Sequence, residues 1–190
     1  MEKERLPKGQ KWISKPVVYD IVRDIKDVDL SKYRLRFFGF LEKPLELTYD
    51  EFVAMATDKV TADFHCVTTW SVKDITWEGI KTKRILELVK PTKEAKFVMA
   101  HCLEGYTTNF PIEYLYDENS ILAYKMNGEI IPKRHGFPIR LVIPSLYAWK
   151  SAKYLEALEF MDKNRKGFWE LRGYHDVGDP WKEERFSEED

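Results

Sequence analysis

Short apolar segments of strand length recur along this chain, and the helical stretches between them are few and short. Alternation and apolar runs predict strands over Lys32–Phe40, Val60–Val67, Lys96–Ala100 and Phe137–Ile143. The Asn127-Gly128 pair predicts a type I′ hairpin between Ile121–Met126 and Glu129–Ile131. Because strands and helices intermingle without a regular strand–helix repeat, the sequence predicts an α+β fold rather than a doubly wound sheet.

Two segments carry helix-start signals. Thr48 followed by Glu51 fits a capping box, which predicts a short helix reaching Ala56. Thr82 is the expected N-cap of a second helix, whose apolar residues follow helical spacing until Pro91 ends it.

The length of the chain suits one domain. A chain of 190 residues can bury a substantial core, and its 44% hydrophobic and 14% aromatic residues indicate a folded globule. Residues 1–11 are charged and are expected to form a loose N-terminal segment. Residues 12–190 are expected to form a single domain, with residues 12–22 laid over its body as an extended arm.

The balance of charge argues against two classes of partner. Lys and Arg number 31 and Asp and Glu number 32, so a formal net charge of -1 gives no electrostatic case for a nucleic-acid or membrane-surface binder. No apolar run approaches the roughly 20 residues of a membrane span, and the N-terminus lacks an export signal. Two cysteines exclude a disulfide scaffold and suit a reducing compartment. We therefore expect a cytoplasmic protein that binds neither nucleic acid nor membrane.

The stretch from Asp63 to Gly79 carries the strongest chemical signal. Cys66 follows an apolar-flanked segment and precedes two threonines and a tryptophan. A thiolate binds soft or high-valent metals, and it is reactive when its pKa is lowered or a metal lies beside it. A cysteine in such a place is also often a small buried hydrophobe. Both interpretations stay open on composition alone.

Two His-Cys pairs offer other interpretations of the cysteines. His65-Cys66 and His101-Cys102 could contribute zinc ligands, but neither has the CxxC spacing of a zinc site. Adjacent residues on a strand point to opposite faces, so one pair does not easily present both side chains to one ion. A redox pair of Cys66 and Cys102 is a further alternative, because nothing in the sequence fixes their distance.

A basic segment follows the hairpin and is interleaved with Gly136, Pro138 and aromatic residues. Its cationic and titratable side chains are Lys133, Arg134, His135, Arg140, Lys150 and Lys153. Arginine forks and lysine charges suit a phosphate group, and glycine lets the backbone approach it. The alternative is a solvated charged face.

Together these stretches resemble the molybdopterin-binding catalytic domain of the sulfite oxidase family. The matching motifs follow one another in the family's order: Cys66-Val-Thr-Thr-Trp-Ser71 with Trp77 and Gly79, Glu104-Gly-Tyr-Thr-Thr-Asn109, Leu122-Ala-Tyr-Lys-Met-Asn-Gly128, His135-Gly-Phe-Pro-Ile-Arg140 and Lys153-Tyr-Leu. The Cys-x-x-x-Trp-Ser pattern looks closest to the stand-alone branch that includes the methionine sulfoxide reductase catalytic subunit.

The resemblance implies a mixed-sheet α+β fold around molybdenum-molybdopterin, with Cys66 as the thiolate ligand of the metal. It also implies a strand from Tyr154 to Met161, a stretch whose pattern alone fits a helix or a strand. The family positions that hold the pterin and its phosphate match Tyr19, Asp20, His101, His135, Arg140, Ser151, Ala152 and Lys153.

The function that the resemblance implies is oxygen-atom transfer to or from a small sulfoxide, N-oxide or sulfite-like substrate, with an unidentified electron-transfer partner. The expected catalytic residues are Cys66, Thr68, His101 and Tyr106. Sulfite oxidases proper follow the cysteine with an arginine-bearing segment that binds the oxyanion, and here two threonines and Trp70 stand there instead. A molybdopterin-binding scaffold without turnover, and a zinc or redox-sensing module that uses Cys66 and Cys102, are the alternatives.

Overall fold

The computed structural model describes residues 5–21 and 27–187, which form two β-sheets and two short α-helices. The strands are β1 Lys11–Trp12, β2 Arg34–Gly39, β3 Leu45–Thr48, β4 Asp58–His65, β5 Trp70–Lys81, β6 Phe97–Cys102, β7 Thr107–Pro111, β8 Ile121–Met126, β9 Glu129–Ile130, β10 Arg140–Val142 and β11 Leu155–Met161. The helices are α1 Tyr49–Met55 and α2 Thr82–Val89, and 3-10 turns occur at Ile112–Leu115, Lys133–His135, Ala148–Lys150, Glu170–Arg172 and Pro180–Lys182. Neither α-helix of these residues is long or apolar enough to cross a bilayer.

The first sheet is organised around β5. This strand pairs antiparallel with β4 and β8 and, at its start, in parallel with β1, while β9 and β10 extend the sheet beyond β8. A bulge between Glu78 and Gly79 brings β5 so close to β8 that a Cβ atom on Gly79 would lie 1.8 Å from the carbonyl oxygen of Leu122. Only glycine fits such a close approach of two backbones.

The second sheet has the strand order β3-β2-β11-β6-β7. It is mixed, because β11 pairs in parallel with β2 and antiparallel with β6. The central strand β11 occupies the stretch whose sequence pattern alone fits either a helix or a strand. The α+β fold with mixed sheets is thereby confirmed, and so is the strand that the resemblance implied.

Two apolar clusters form the core. The larger contains residues of both sheets and both helices, among them Leu35, Phe52, Ile85, Leu122 and Leu158. The smaller lies on the other face of the first sheet and includes Cys66, Trp77 and Ile121. The neighbours Ile121 and Leu122 belong to different clusters, because side chains alternate between the faces of a strand.

The predicted capping box and hairpin are present. The Thr48 side chain accepts a hydrogen bond from the Glu51 backbone, and the Glu51 carboxylate accepts one from the Thr48 backbone at 2.8 Å. Asn127 and Gly128 have φ values of 52° and 84°, as a type I′ turn requires. These local signals predicted local structure correctly.

The start of α2 differs from its prediction. Lys81 is the N-cap, and Thr82 is the first helical residue. The Thr82 hydroxyl donates instead to the carbonyl oxygen of Leu115 at 2.6 Å. The Thr82 side chain is buried under the connection to β8. Its hydroxyl therefore forms a tertiary hydrogen bond and does not cap the helix.

Residues 5–11 pack against the first sheet, in contrast to the expected loose segment. The Arg5 guanidinium forms ion pairs with Asp63 and Asp74, and the Gln10 side chain is buried. Lys11 begins β1. Arg5 finds its partners on β4 and β5, whereas Lys8 pairs with Glu183 in the tail at 2.9 Å. Residues 1–4 of the expected loose segment, and Val22 at the end of the expected arm, lie outside the described residues.

Candidate active site

A cavity of about 290 Å³ lies beside the β4–β5 turn. Its other walls come from residues 16–21 of the arm, the loop after β6, the segment from Arg134 to Tyr154, and the tail from Gly167 onward. This volume is just below the range typical of small-molecule sites, about 300 to 1,000 Å³.

Most of the predicted site residues line this cavity. They are Tyr19, Asp20, Cys66, Thr68, Tyr106, His135, Arg140, Ser151, Ala152 and Lys153. They come from segments that are far apart in the chain, so the fold and not local sequence brings them together.

His101 is the exception. Its Nε2 atom lies 2.9 Å from the Glu159 carboxylate, and its ring stacks on Phe38 with centroids 6.0 Å apart. Side chains alternate along β6, so Cys102 points into the larger apolar cluster and His101 points away from it. His101 therefore leaves the set of candidate site residues, both as a pterin contact and as a catalytic group.

Cys66 is held in a tight turn directly after β4. Its N–H donates to the carbonyl of Trp70 at 2.9 Å, and its own carbonyl accepts from the N–H of Thr69 at 3.0 Å. The Cys66 residue is 6% exposed, and its Sγ atom lies 3.2 Å from the Oγ1 atom of Thr68. The turn thus fixes one thiol and one hydroxyl side by side at the cavity wall.

Burial raises the pKa of the Cys66 thiol, and the hydrogen bonds of Thr68 and the charge of Arg185 oppose that rise. Arg185 comes from the tail and was not among the predicted site residues. Its guanidinium donates to the carbonyl of Val67 and lies 5.0 Å from the centre of the Tyr147 ring. The thiol is protonated at neutral pH in this environment, and a bound metal ion would deprotonate it.

A buried chain of hydrogen bonds supports the turn from behind. Gln10 Nε2 donates to the carbonyl of Cys66 at 3.0 Å, and the Ser71 hydroxyl donates to Gln10 Oε1 at 3.2 Å. The ring of His65 lies 2.8 Å from the same hydroxyl through Nδ1. Burial lowers the pKa of His65 to about 4, so the ring is neutral. Because the hydroxyl proton is already donated, His65 Nδ1 is the donor in this contact.

Arg140 supplies a buried positive charge. It is 5% exposed, and its two terminal nitrogens donate to the carbonyls of His135 at 2.8 Å and Ser151 at 2.9 Å. Its Nε atom has no hydrogen-bond partner among the described residues. Burial lowers the pKa of Arg140 to about 10, which leaves it charged at neutral pH. A buried N–H without an acceptor is destabilising, and a ligand acceptor would relieve it.

Gly136 lets the neighbouring cations come together. A Cβ atom at this position would lie 3.0 Å from Cβ of Lys153 and 3.1 Å from Cβ of Arg140. Burial is the main cause that lowers the pKa values of both Lys153 and His135, and the charge of Arg140 is the second. We call Arg134, Arg140 and Lys153 the cationic group of the cavity, and His135, whose lowered pKa leaves it neutral at pH 7, lies among them.

The two other members of the basic segment lie elsewhere. The Lys133 ammonium pairs with the exposed Asp27 at 2.6 Å. The Lys150 ammonium is fully buried, 2.6 Å from the buried carboxylate of Glu170 and 2.6 Å from the carbonyl of Asp176. Lys150 therefore ties the tail to the body and does not line the cavity.

An aromatic wall was missing from the sequence predictions. Trp149, Trp169 and Tyr174 line the cavity, and Trp149 contacts Tyr174 with ring centroids 5.1 Å apart. The hydroxyl of Tyr106 donates to the carbonyl of Trp149 at 2.6 Å, so its proton is committed to holding this wall. The high aromatic content of the tail was the available signal, but it did not show where the tail lies.

The alternatives built on the cysteines can be compared with the geometry. Cys66 and Cys102 are both free thiols, and they belong to different apolar clusters. Within residues 5–21 and 27–187, no group of three or more His, Cys, Asp or Glu side chains is placed to hold a metal ion together. The described residues therefore contain neither a cluster of zinc-ligand side chains nor a disulfide between Cys66 and Cys102.

Comparison with known proteins gives a family match. The family model described as "Oxidoreductase molybdopterin binding domain" matches residues 22–169. Among solved structures, the sulfane dehydrogenase SoxCD from Paracoccus pantotrophus aligns with a TM-score of 0.66 and 24% identity, over 73% of this chain and 40% of that chain. That likeness shows the fold.

Two relatives illustrate the range of similar proteins. An uncharacterized oxidoreductase, YuiH, from Bacillus subtilis is 42% identical over 84% of this chain and 80% of its own length. The methionine-sulfoxide reductase catalytic subunit MsrP from Campylobacter jejuni is 31% identical over 76% of this chain and 54% of its own length. The chain thus spans only about half of the reductase that it resembles.

Proposed function

Because the chain belongs to the oxidoreductase molybdopterin-binding domain family, we propose that it is a molybdenum-dependent oxidoreductase that transfers an oxygen atom to or from a small substrate. The family binds molybdopterin, and its named members include reductases of protein methionine sulfoxide and of nitrate. The metal ligand, the direction of transfer and the substrate are the parts of this proposal that go beyond family membership.

One observation carries the proposal: a single cavity combines a free thiol with a buried, partly unpartnered guanidinium. Cys66 offers the sulfur ligand, and Arg140 offers an N–H that lacks an acceptor among the described residues. A soft or high-valent metal requires the first, and the oxygen-rich phosphate of a pterin cofactor suits the second. The residues present therefore fit molybdopterin, with Cys66 toward the metal and the cationic group toward the phosphate.

When bound, molybdenum supplies two-electron oxygen-atom chemistry between its Mo(VI) and Mo(IV) states. The protein contributes the ligand, the orientation and the exclusion of water. Cys66 would lose its proton on binding the metal, and the Thr68 hydroxyl would then donate to its thiolate. The aromatic wall of Trp149, Trp169 and Tyr174 would shield the reacting atoms from bulk water.

The proposed substrates are small sulfoxides, N-oxides or sulfite-like anions. Apolar and aromatic side chains make up much of the cavity wall, among them Phe64, Trp70, Ala148 and Trp149. Sulfoxides and N-oxides suit such a site, because an apolar wall can hold the carbon groups that flank their one polar oxygen. The electron-transfer partner belongs to the proposal as an unidentified redox protein.

The test is an oxygen-transfer assay on protein produced with molybdenum available. Methionine sulfoxide, trimethylamine N-oxide and sulfite are offered with artificial electron donors or acceptors. We expect turnover of at least one of them by the wild type and none by Cys66→Ser. Turnover by Cys66→Ser at the wild-type rate would contradict the assignment of Cys66. Bound pterin with no turnover of any substrate would indicate the scaffold without catalysis.

A further inference from the structure

The arm crosses the cavity and is attached to residues of the site. The Tyr19 hydroxyl lies 3.0 Å from the Oγ1 atom of Thr68, and the Tyr19 carbonyl accepts from Lys153 Nζ at 2.9 Å. Within the described ranges, no backbone–backbone hydrogen bond joins residues 16–21 to another part of the chain. Side-chain contacts with the site are therefore what hold this part of the arm.

Asp20 makes the most specific of these contacts. Its Oδ2 atom accepts two hydrogen bonds from the Arg134 guanidinium, at 2.9 and 2.6 Å, and its Oδ1 atom lies 3.5 Å from Lys153 Nζ. The Asp20 side chain is 20% exposed. Burial alone would raise the pKa of Asp20, but the hydrogen bonds and charges of Arg134 and Lys153 outweigh it and lower that pKa. Asp20 is thus an anion that the protein itself places among the cations of the cavity.

A phosphate at the same place would meet two obstacles. Arg134 presents its fork to Asp20, so a phosphate that binds this fork has to replace a carboxylate. A carboxylate that stayed beside the phosphate would repel it, since like charges in contact are only weakly screened at a partly buried site. Only the cations, and not Asp20, favour the bound anion.

We propose that Asp20 is an internal counter-ion that occupies the cationic group while no phosphate is bound and gives up Arg134 and Lys153 when one enters. The arm then acts as a strap: release of Asp20 frees the segment that carries Tyr19, which also covers Thr68. This inference rests on the proposed function only in taking the entering phosphate to be that of a pterin. It gives Asp20 a role other than the pterin contact expected from the family resemblance.

The experiment measures inorganic phosphate binding by calorimetry, at constant ionic strength and pH 7, on protein produced in a host without pterin synthesis. Asp20→Asn removes the competing charge and keeps the shape of the side chain. We expect it to bind phosphate about tenfold more tightly than the wild type or better, because a nearby like charge is lost. Asp27→Asn is the matched control, since Asp27 pairs with Lys133, is exposed and does not line the cavity. The phosphate affinity of Asp27→Asn should stay within about twofold of the wild-type affinity, because solvent and salt screen an exposed pair.

Three results would overturn the proposal. Asp20→Asn could bind phosphate no better than the wild type, Asp27→Asn could gain as much as Asp20→Asn, or no variant could bind phosphate at all. Hydrogen exchange adds a readout of the strap itself: saturating phosphate should speed exchange of the amides of residues 17–21 in the wild type, and unchanged exchange would contradict displacement. Phosphate binding needs no molybdenum, so it can succeed where the oxygen-transfer assay fails. A protein that carries pterin but shows no gain in Asp20→Asn would overturn this inference alone.

Discussion

The Sγ atom of Cys66 and the Oγ1 atom of Thr68 lie 3.2 Å apart, and the same threonine hydroxyl lies 3.0 Å from the hydroxyl of Tyr19. One small side chain therefore joins the candidate metal ligand to the strap over the cavity. A hydroxyl has a single proton, so Thr68 can donate to only one of these two partners at a time. A thiolate is the stronger acceptor, and metal binding at Cys66 would direct the Thr68 proton toward sulfur.

Thr68→Val keeps the shape of the side chain and removes this donor. We expect kcat/KM for oxygen transfer to fall roughly ten- to hundredfold, the effect of losing one hydrogen bond to a charged group. Thr68→Ser should retain most of the activity because it keeps the hydroxyl. Thr61→Val, which removes an exposed hydroxyl that contacts Thr76 on the neighbouring strand, is the control and should leave kcat/KM unchanged. Equal activity of Thr68→Val and the wild type would exclude a role for this hydroxyl.

Arg140→Lys keeps a positive charge and loses the planar fork. The carbonyls of His135 and Ser151 would then lack at least one of their donors, and the N–H that we assign to the phosphate would disappear. We expect pterin affinity to fall by about 2 kcal/mol, roughly thirtyfold, because the point charge of lysine cannot hold both carbonyls and present a further N–H to the phosphate. Pterin fluorescence after equilibrium dialysis measures the loss.

The control for this variant is Arg36→Lys. Arg36 pairs with Glu156 on the surface of the second sheet and does not line the cavity. Its pterin affinity should match the wild type. An Arg140→Lys protein that holds pterin as tightly as Arg36→Lys would show that Arg140 supports the fold and does not contact the cofactor.

The buried pair of Lys150 and Glu170 predicts a large effect on stability. Lys150→Met leaves the carboxylate of Glu170 buried without its cation, so we expect the free energy of unfolding in urea to fall by about 3 to 5 kcal/mol. Lys150→Met combined with Glu170→Leu removes both charges and should recover much of that loss. Lys83→Met breaks the exposed pair with Glu118 and should leave the free energy of unfolding nearly unchanged, because solvent screens this pair. A loss as small for Lys150→Met as for Lys83→Met would contradict the burial of this pair.

Local signals in the sequence predicted the structure wherever local interactions decide it. The Thr48–Glu51 capping box and the Asn127-Gly128 turn depend on residues within a few positions of each other, and both are present. Strand β5 was not predicted, although it is the longest strand of the described residues. Within β5, Asp74 has a φ of 52°, and bulges shift the register of this strand with both β4 and β8. The apolar residues of β5 therefore do not alternate along the sequence.

The family resemblance predicted most of the residues that line the cavity. The sequence did not predict residues whose positions depend on contacts with distant segments of the chain. Lys150 belongs to a basic segment by sequence, but its partner Glu170 lies twenty positions away and draws it into the core. Arg185 and Gln10 reach the cysteine turn from the two ends of the chain, and no local pattern marks them. The position of His101, in contrast, depends on local structure. Side chains alternate along β6, so His101 points away from the apolar cluster that contains its neighbour Cys102.

The cofactor content of the purified protein tests the central claim most directly. Elemental analysis and pterin fluorescence on wild type, Cys66→Ser and Cys102→Ala measure molybdenum and pterin per chain. We predict about one of each for the wild type and for Cys102→Ala, which alters only the thiol in the other apolar cluster. Cys66→Ser should keep part of its pterin through the cationic group and lose activity. Wild-type protein without pterin after expression in a molybdenum-replete host would contradict the account, and so would Cys66→Ser with full molybdenum and full activity.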